Sequence, residues 1–485
     1  MLPAVLGDAA ARHGDRPAYL APGGWPLTYT DLDHLSDEVA VGLARRGVAA
    51  GDLVALALPS SPEYVVAYLA LAKLGAVTTG LNPRFTATER RAIVDRLGPS
   101  RLLATADLAD GAPPDLDIVE VELAPTAADV LAPLRVADAV PPRLPDDPDR
   151  EVAVVLTSGT TGTPRGAVFT NRQLAAIADI EAGARRDGGE AVLGSTELVH
   201  IGAMTKLVWQ LRVGTTTHLM EHWRAETALR LVAEHRIRFL GGIPAQLALM
   251  LRHPLVGDLD LDCVGFVVSG GGPAPPSLVR TAMARFEAPF GIRYSSTETG
   301  GLGCAIDLTD PDDDGAHTVG APRPAIELDV RDGEVWLRSP AAMIRYLHDP
   351  DATATTLVDG WVRTGDVGAL DDRGRLILAG REREMYVRGG YNVHPQEVEA
   401  VLGAHPLVAE VAVAPRPDEV MGAVGVAVVV PADPLHPPTL DELRAHAAVH
   451  LARYKLPEDV VTAGALPLTA MHKLDRRALV RLVGG

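Results

Sequence analysis

Apolar residues in this chain come as short unbroken runs that end at glycine or proline. LVALALP (53–59) reads as a strand. SPEYVVAYLALAKLG follows as a helix closed by Gly75. VAVVL (152–156), IRFLGGIP (237–244) and CVGFVVSGGG (263–272) repeat the strand pattern. Continuous Val/Ile/Leu runs mean burial on both faces, so the pattern predicts mixed or parallel sheets covered by helices. RLPDDPDRE (143–151) is a Pro/Asp-rich connector, and no internal repeat is visible.

The last hundred residues differ in style. EVWLRSP and GRLILAG look like two antiparallel strands. A helix is expected from HPQEVEAVL, then the strands VAEVAVAP and AVGVAVVV, then a helix from Thr439 to about Ala452. The expected class is α/β: a large N-terminal region (1–382) of helix-sandwiched sheets with a β-rich subdomain near its end, then a small mobile α+β unit (383–485).

Length and charge narrow the picture. The 485 residues exceed what one core organises. A net charge of −18 argues against nucleic acid or an anionic membrane as partner. Two cysteines, Cys263 and Cys304, form neither a metal spacing nor a disulfide framework. The opening residues lack the charged and apolar segments of a signal peptide, and Tyr64 to Val77 reads as a buried helix rather than a span. The expectation is a cytoplasmic protein, monomer or homodimer.

TSGTTGTPRG (157–166) follows a predicted strand and is rich in glycine and hydroxyl groups. Backbone N–H groups and hydroxyls in such a loop can converge on phosphate oxygens, and Arg165 adds a cation. The P-loop pattern GxxxxGK[ST] does not fit, because Pro164 stands five residues after Gly159.

This string resembles the phosphate-binding signature of the adenylate-forming superfamily, which holds acyl-CoA synthetases, nonribosomal-peptide adenylation domains and luciferases. SGGGPAP (269–275), YSSTE (294–298), WVRTGD (361–366), GRERE (380–384), RGGYNVHPQEVE (388–399), ARYKLPE and PLTAMHKLDRRAL resemble its other motifs, in family order along the chain. The resemblance implies two half-reactions: a carboxylate displaces pyrophosphate from ATP, and a thiol then captures the acyl-adenylate.

It also implies roles. Thr157, Ser158, Gly159, Thr160, Thr161 and Arg165 would cradle the departing phosphates, with Arg165 where lysine is commoner. Thr297 would touch the α-phosphate, beside Ser295 and Ser296, and Glu298 would hold Mg²⁺. Asp366 would accept both ribose hydroxyls, helped by Arg381. Gly271 and Gly272 would admit the adenine, with Tyr294 stacked on it; taken alone, Tyr294 reads as a core aromatic. Lys473 would bridge the carboxylate and the α-phosphate, and Arg383 would be the hinge. His472 before that lysine and Ser295 in place of glycine depart from the usual pattern.

Arg388, Gly389, Gly390 and Tyr391 would line a pantetheine tunnel, with Arg453 and Lys455 toward the CoA nucleotide. His200, Met204 and Lys206 would form the acyl pocket. A lysine there either pairs with a polar or anionic distal group on the substrate, or is a snorkelling lysine or a member of an internal ion pair. The resemblance makes an ATP-dependent acyl-CoA ligase the leading function, with a small acid, ATP, Mg²⁺ and CoA. Open alternatives are loading of a carrier protein through its phosphopantetheine, nitrite activation to diazotise an aryl amine, and nucleotide binding without turnover.

Overall fold

A computed structural model describes residues 1–157, 164–182, 189–309, 315, 317–381, 384–469 and 473–484. Two large sheets form the body. In the first, seven strands run in the order Arg345–Tyr346, Gly166–Thr170, Glu151–Leu156, Val77–Gly80, Leu53–Ala57, Arg101–Ala104, Asp117–Glu120. Its central pairs are parallel, and strand Glu151–Leu156 is buried at five of six positions. Helices must therefore cover both faces. Helix Pro62–Leu74 is buried along almost its whole length and stops at Gly75, which adopts a left-handed φ of 74°. Its Lys73 is neutralised internally by Asp33 and Asp37, at 2.7 and 2.6 Å.

The second sheet has nine strands. At its heart Phe239–Gly242, Phe266–Gly270 and Phe290–Tyr294 run parallel, with Gly270 in register with Arg293. All three strands end near the same edge. In open α/β sheets that edge, beyond the carboxyl ends of the strands, is where ligands bind.

A β-rich subdomain follows. Strands Glu334–Arg338 and Leu376–Arg381 are both antiparallel to strand Trp361–Leu370, which lies between them. The C-terminal unit opens with the hairpin Tyr386–Arg388/Tyr391–Val393. Its core is the long antiparallel pair Val408–Asp418/Gly422–Pro431, backed by helix Pro395–Leu402. The helix expected from Thr439 starts there, in a capping box with Glu442, but ends at Ala447, about a turn early. Leu451 drops into the apolar core, and Arg453–Lys455 form a short 3-10 turn instead. Among the described residues no helix is long and apolar enough to cross a membrane.

Candidate active site

Five segments meet at the strand ends of the second sheet. Thr157 and Arg165 close the base of the glycine-rich loop, with Thr157 N donating to Arg165 O at 2.8 Å. Ser158, Gly159, Thr160 and Thr161 lie outside the described residues, as do Arg383 and His472. The Arg165 guanidinium is held 3.1 Å from Asp349 and stands over the ring of Tyr346, 5.6 Å from its centroid. Asp349 also receives Arg96 at 2.8 Å and caps the helix Pro350–Thr356.

Tyr346 links this loop to the next segment. Its hydroxyl donates to Glu298 Oε1 at 2.7 Å. The turn that carries Glu298 is fixed by reciprocal bonds between Ser296 and Thr299 and by Gly300 and Gly301, both at positive φ. A side chain at Gly300 would strike the Ala341 carbonyl oxygen at 2.3 Å, so the position needs glycine. Ser295, Ser296, Thr297 and Glu298 remain partly exposed.

Asp366 lies 7% exposed on strand Trp361–Leu370. Oδ1 accepts from Arg381 Nε at 2.8 Å and Oδ2 accepts from the Tyr294 hydroxyl at 2.7 Å. A carboxylate has about four acceptor sites, so two remain open for hydroxyl donors. The Tyr294 ring is packed in the apolar core with Leu302, Cys304 and Leu337, and burial followed by the Asp366 charge pushes its hydroxyl pKa far up.

Lys473 comes from the C-terminal unit, next to Leu474, which bridges Leu468. A methyl group at Gly271 would stand 4.0 Å from Lys473 Cε. Gly271 itself is exposed at a φ of 80°, a conformation that favours glycine. Burial and the Arg381 charge lower the Lys473 pKa from its usual 10.5, while Glu298 and Asp366 oppose the shift. Lys473 therefore lies within electrostatic reach of Glu298, Asp366 and Arg381. Glu298 keeps Oε2 free of the Tyr346 bond, and one carboxylate plus phosphate oxygens is the donor set Mg²⁺ prefers.

The AMP-binding enzyme model matches residues 6–347 and the AMP-binding enzyme C-terminal domain model matches 397–473. The chain belongs to the AMP-binding enzyme family. It is an AMP-forming acid–thiol ligase that works through an adenylate. A relative from Mycobacterium tuberculosis, 3-[(3aS,4S,7aS)-7a-methyl-1,5-dioxo-octahydro-1H-inden-4-yl]propanoyl:CoA ligase, is 35% identical, covering 99% of this chain and 98% of its own. The indoleacetate–CoA ligase of Aromatoleum aromaticum is 33% identical, with 97% of each chain covered. The amide bond synthetase of Marinactinospora thermotolerans superposes with a TM-score of 0.88 at 28% identity, over 100% of both chains.

The remaining sequence-predicted positions divide. His200 is partly exposed and bonded to Asn82 Nδ2 at 3.2 Å, with Glu197 3.6 Å away. Met204 is not at an open surface: it is 1% exposed in the core around the first sheet, its carbonyl taken by Tyr68. Lys206 is neither snorkelling nor free, because Glu181 Oε1 lies 2.7 Å from its Nζ. In the C-terminal unit Arg388 pairs with Glu458, and Lys455 lies 2.7 Å from Glu397. Gly389 and Gly390 form the hairpin turn at positive φ; Tyr391 is exposed and stacked on Tyr454, with centroids 4.6 Å apart. Arg453 is exposed.

Tyr346, Asp349, Glu181 and Arg323 escaped the sequence reading. Their partners lie 25 to 253 positions away, at Lys206, Glu298, Arg323, Arg165 and Arg96. The one local signal was Tyr346 and Asp349 in RYLHDP, a short polar stretch just after an apolar run.

Proposed function

We propose that this AMP-binding enzyme joins a small carboxylic acid to CoA at the expense of ATP, with residues 383–485 as the mobile lid. The observation that carries the reading is Lys473 of the lid beside Gly271, Glu298, Asp366 and Arg381 of the body. That arrangement supports the first half-reaction. A carboxylate oxygen attacks the α-phosphorus of ATP, and the bond to pyrophosphate breaks. Lys473 puts one positive charge where the two anions converge, and fixed groups aimed at developing charge do most to speed such a step. Arg165, steadied by Asp349, faces the departing phosphates. Asp366, its two other sites held by Tyr294 and Arg381, orients the ribose. Thr297 meets the α-phosphate. Mg²⁺, held by Glu298, would neutralise phosphate charge.

The second half-reaction needs the lid to turn. Rotation at Arg383 would carry Lys473 out and bring the Arg388–Tyr391 hairpin in, where its glycines would let pantetheine pass against backbone. Arg388 and Lys455 are already neutralised by Glu458 and Glu397, so Arg453 is the cation left to meet the CoA phosphates. CoA as acceptor is supported by the relatives named as CoA ligases, while the amide bond synthetase makes an amine the rival.

The test incubates the full chain with ATP, Mg²⁺ and a panel of acids, with CoA, with an amine, or with nitrite and an aryl amine. Equal yields of AMP, pyrophosphate and acyl-CoA are expected. Adenylate discharged to amine but not to CoA would overturn the acceptor. ATP binding without acid-dependent pyrophosphate release would overturn the ligase.

A further inference from the structure

Glu181, at the end of helix Asn171–Ala182, is 3% exposed and stands among three cations. Lys206 Nζ lies 2.7 Å from Oε1, Arg323 Nη2 lies 3.1 Å from Oε2, and Arg293 Nη1 lies 3.7 Å from Oε2. Among the described residues no second carboxylate pairs with any of the three. The cluster carries a formal excess of two positive charges, in a place where uncompensated charge is costly.

The three cations are not equally satisfied. Arg323 also donates to the Ile180 carbonyl and is 9% exposed. Lys206 is engaged by Glu181. Arg293 stands beyond hydrogen-bonding distance of Glu181, and its remaining contact is the Phe239 ring, 5.8 Å from its Cζ. Its side chain is 27% exposed, and among the described residues its guanidinium forms no hydrogen bond. A guanidinium is a bidentate donor fork, and among the described residues this one has no hydrogen-bonded carboxylate.

Its location gives that fork a use. Arg293 immediately precedes Tyr294 on the strand that runs into the Glu298 turn. Its register neighbour is Gly270, next to the Gly271 that lies under Lys473. One strand further, Gly241 has only the Phe239 ring within 4 Å of where a side chain would begin. Glycines at both positions carry no side chain beside Arg293, which stands five residues before Glu298 on the strand that leads into its turn.

Resting on the ligase reading above, we infer that the acid this enzyme activates carries a second carboxylate at its far end, held by Arg293 with Lys206 and Arg323 at its back. Glu181 acts as a positioning residue: it fixes Lys206 and Arg323 so that the net field at Arg293 stays positive. The Lys206 expectation thus returns in altered form, with the neighbouring arginine as the group that touches substrate.

The experiment compares matched pairs of acids, each monocarboxylic acid with its ω-carboxylate analogue of equal length, aliphatic and aromatic. For the wild type, the kcat/KM ratio of diacid to monoacid in pyrophosphate release should exceed about tenfold for at least one pair. In Arg293→Met that ratio should fall below one, and Arg293→Lys should restore part of it. A monoacid preference in the wild type overturns the inference, as does an Arg293→Met variant that keeps the ratio. Thermal stabilisation by the same acids with AMP supplies a readout free of turnover. Arg293-dependent stabilisation by diacids without pyrophosphate release sinks the ligase reading and keeps this one. Turnover without any diacid preference does the reverse.

Discussion

Tyr294 donates its hydroxyl to Asp366 Oδ2 at 2.7 Å, across 72 positions of sequence and between two different sheets. The bond ties the end of a body strand to the carboxylate that would meet the ribose. A hydrogen bond to a charged, buried acceptor contributes about 1.5–3 kcal/mol. Tyr294→Phe keeps the packing of the ring and removes the donor. We expect a stability loss in that range by urea unfolding, together with weaker ATP binding by calorimetry. An unchanged ATP affinity would show that Arg381 alone orients Asp366.

Lys473→Ala should separate the half-reactions. Adenylation should fall by ~10²-fold or more, because the point charge acts only on that step. Thioester formation from supplied acyl-adenylate should stay within a few-fold of wild type. Single-turnover assays of each step decide this, and equal losses in both would remove Lys473 from its assigned role.

The same lysine sets a pH limit. Burial and Arg381 hold its pKa below 10.5 in the free enzyme. Only the protonated form neutralises phosphate, so kcat/KM for ATP should decline as pH rises through that lowered value, before an ordinary lysine would titrate. Lys473→Arg, which stays charged throughout, should move the alkaline limb upward even if its maximum rate is lower. A limb unmoved in the variant would assign it to another group.

Tyr346→Phe tests the missed link between the glycine-rich loop and Glu298. The variant leaves Glu298 without the donor that fixes its Oε1 and takes nothing from the carboxylate charge. The Mg²⁺ concentration for half-maximal adenylation should rise by roughly 10–100-fold, the order lost when an outer partner that orients a metal ligand is removed. A titration of rate against Mg²⁺ at saturating ATP measures it.

The parts legible in the sequence were those with local signatures. Gly75 ended its helix as a glycine C-cap should, and Thr439 with Glu442 formed the capping box their spacing allows. Glu298, Asp366, Arg381 and Lys473 stand in separate motifs, and the fold brings Lys473 within electrostatic reach of the other three. The failures were tertiary. The stretch after Ala447 carries no glycine or proline to stop a helix, and only the pull of Leu451 into the core ends it early. Glu181 and Arg293 look ordinary in sequence, because an ion cluster assembled from residues 25 to 142 positions apart leaves no local pattern. Arg293 did leave a trace: a lone arginine inside the apolar strand FGIRY.

Glu181 should be the most costly single charge to remove. Burial alone would raise its pKa, yet Lys206, Arg293 and Arg323 hold it well below the usual 4.5. A carboxyl with a depressed folded-state pKa contributes stability that is complete above the unfolded value and is lost as pH falls through the folded one. The wild type should therefore lose stability progressively below about pH 4.5, the unfolded-state value. Glu181→Gln strands three cations around a buried site and should cost about 3–5 kcal/mol at neutral pH, the range for breaking a buried pair from one side. It should also flatten the acid limb. Lys206→Met in the Glu181→Gln background removes one stranded cation and should recover part of the loss, so the double variant should be more stable than the additive sum. Urea midpoints for the four proteins at pH 7 and at pH 4 give the coupling directly. A coupling near zero at pH 7 would mean that Glu181 and Lys206 are each solvated independently, and the field behind Arg293 would then lack the rigidity that a distal carboxylate needs.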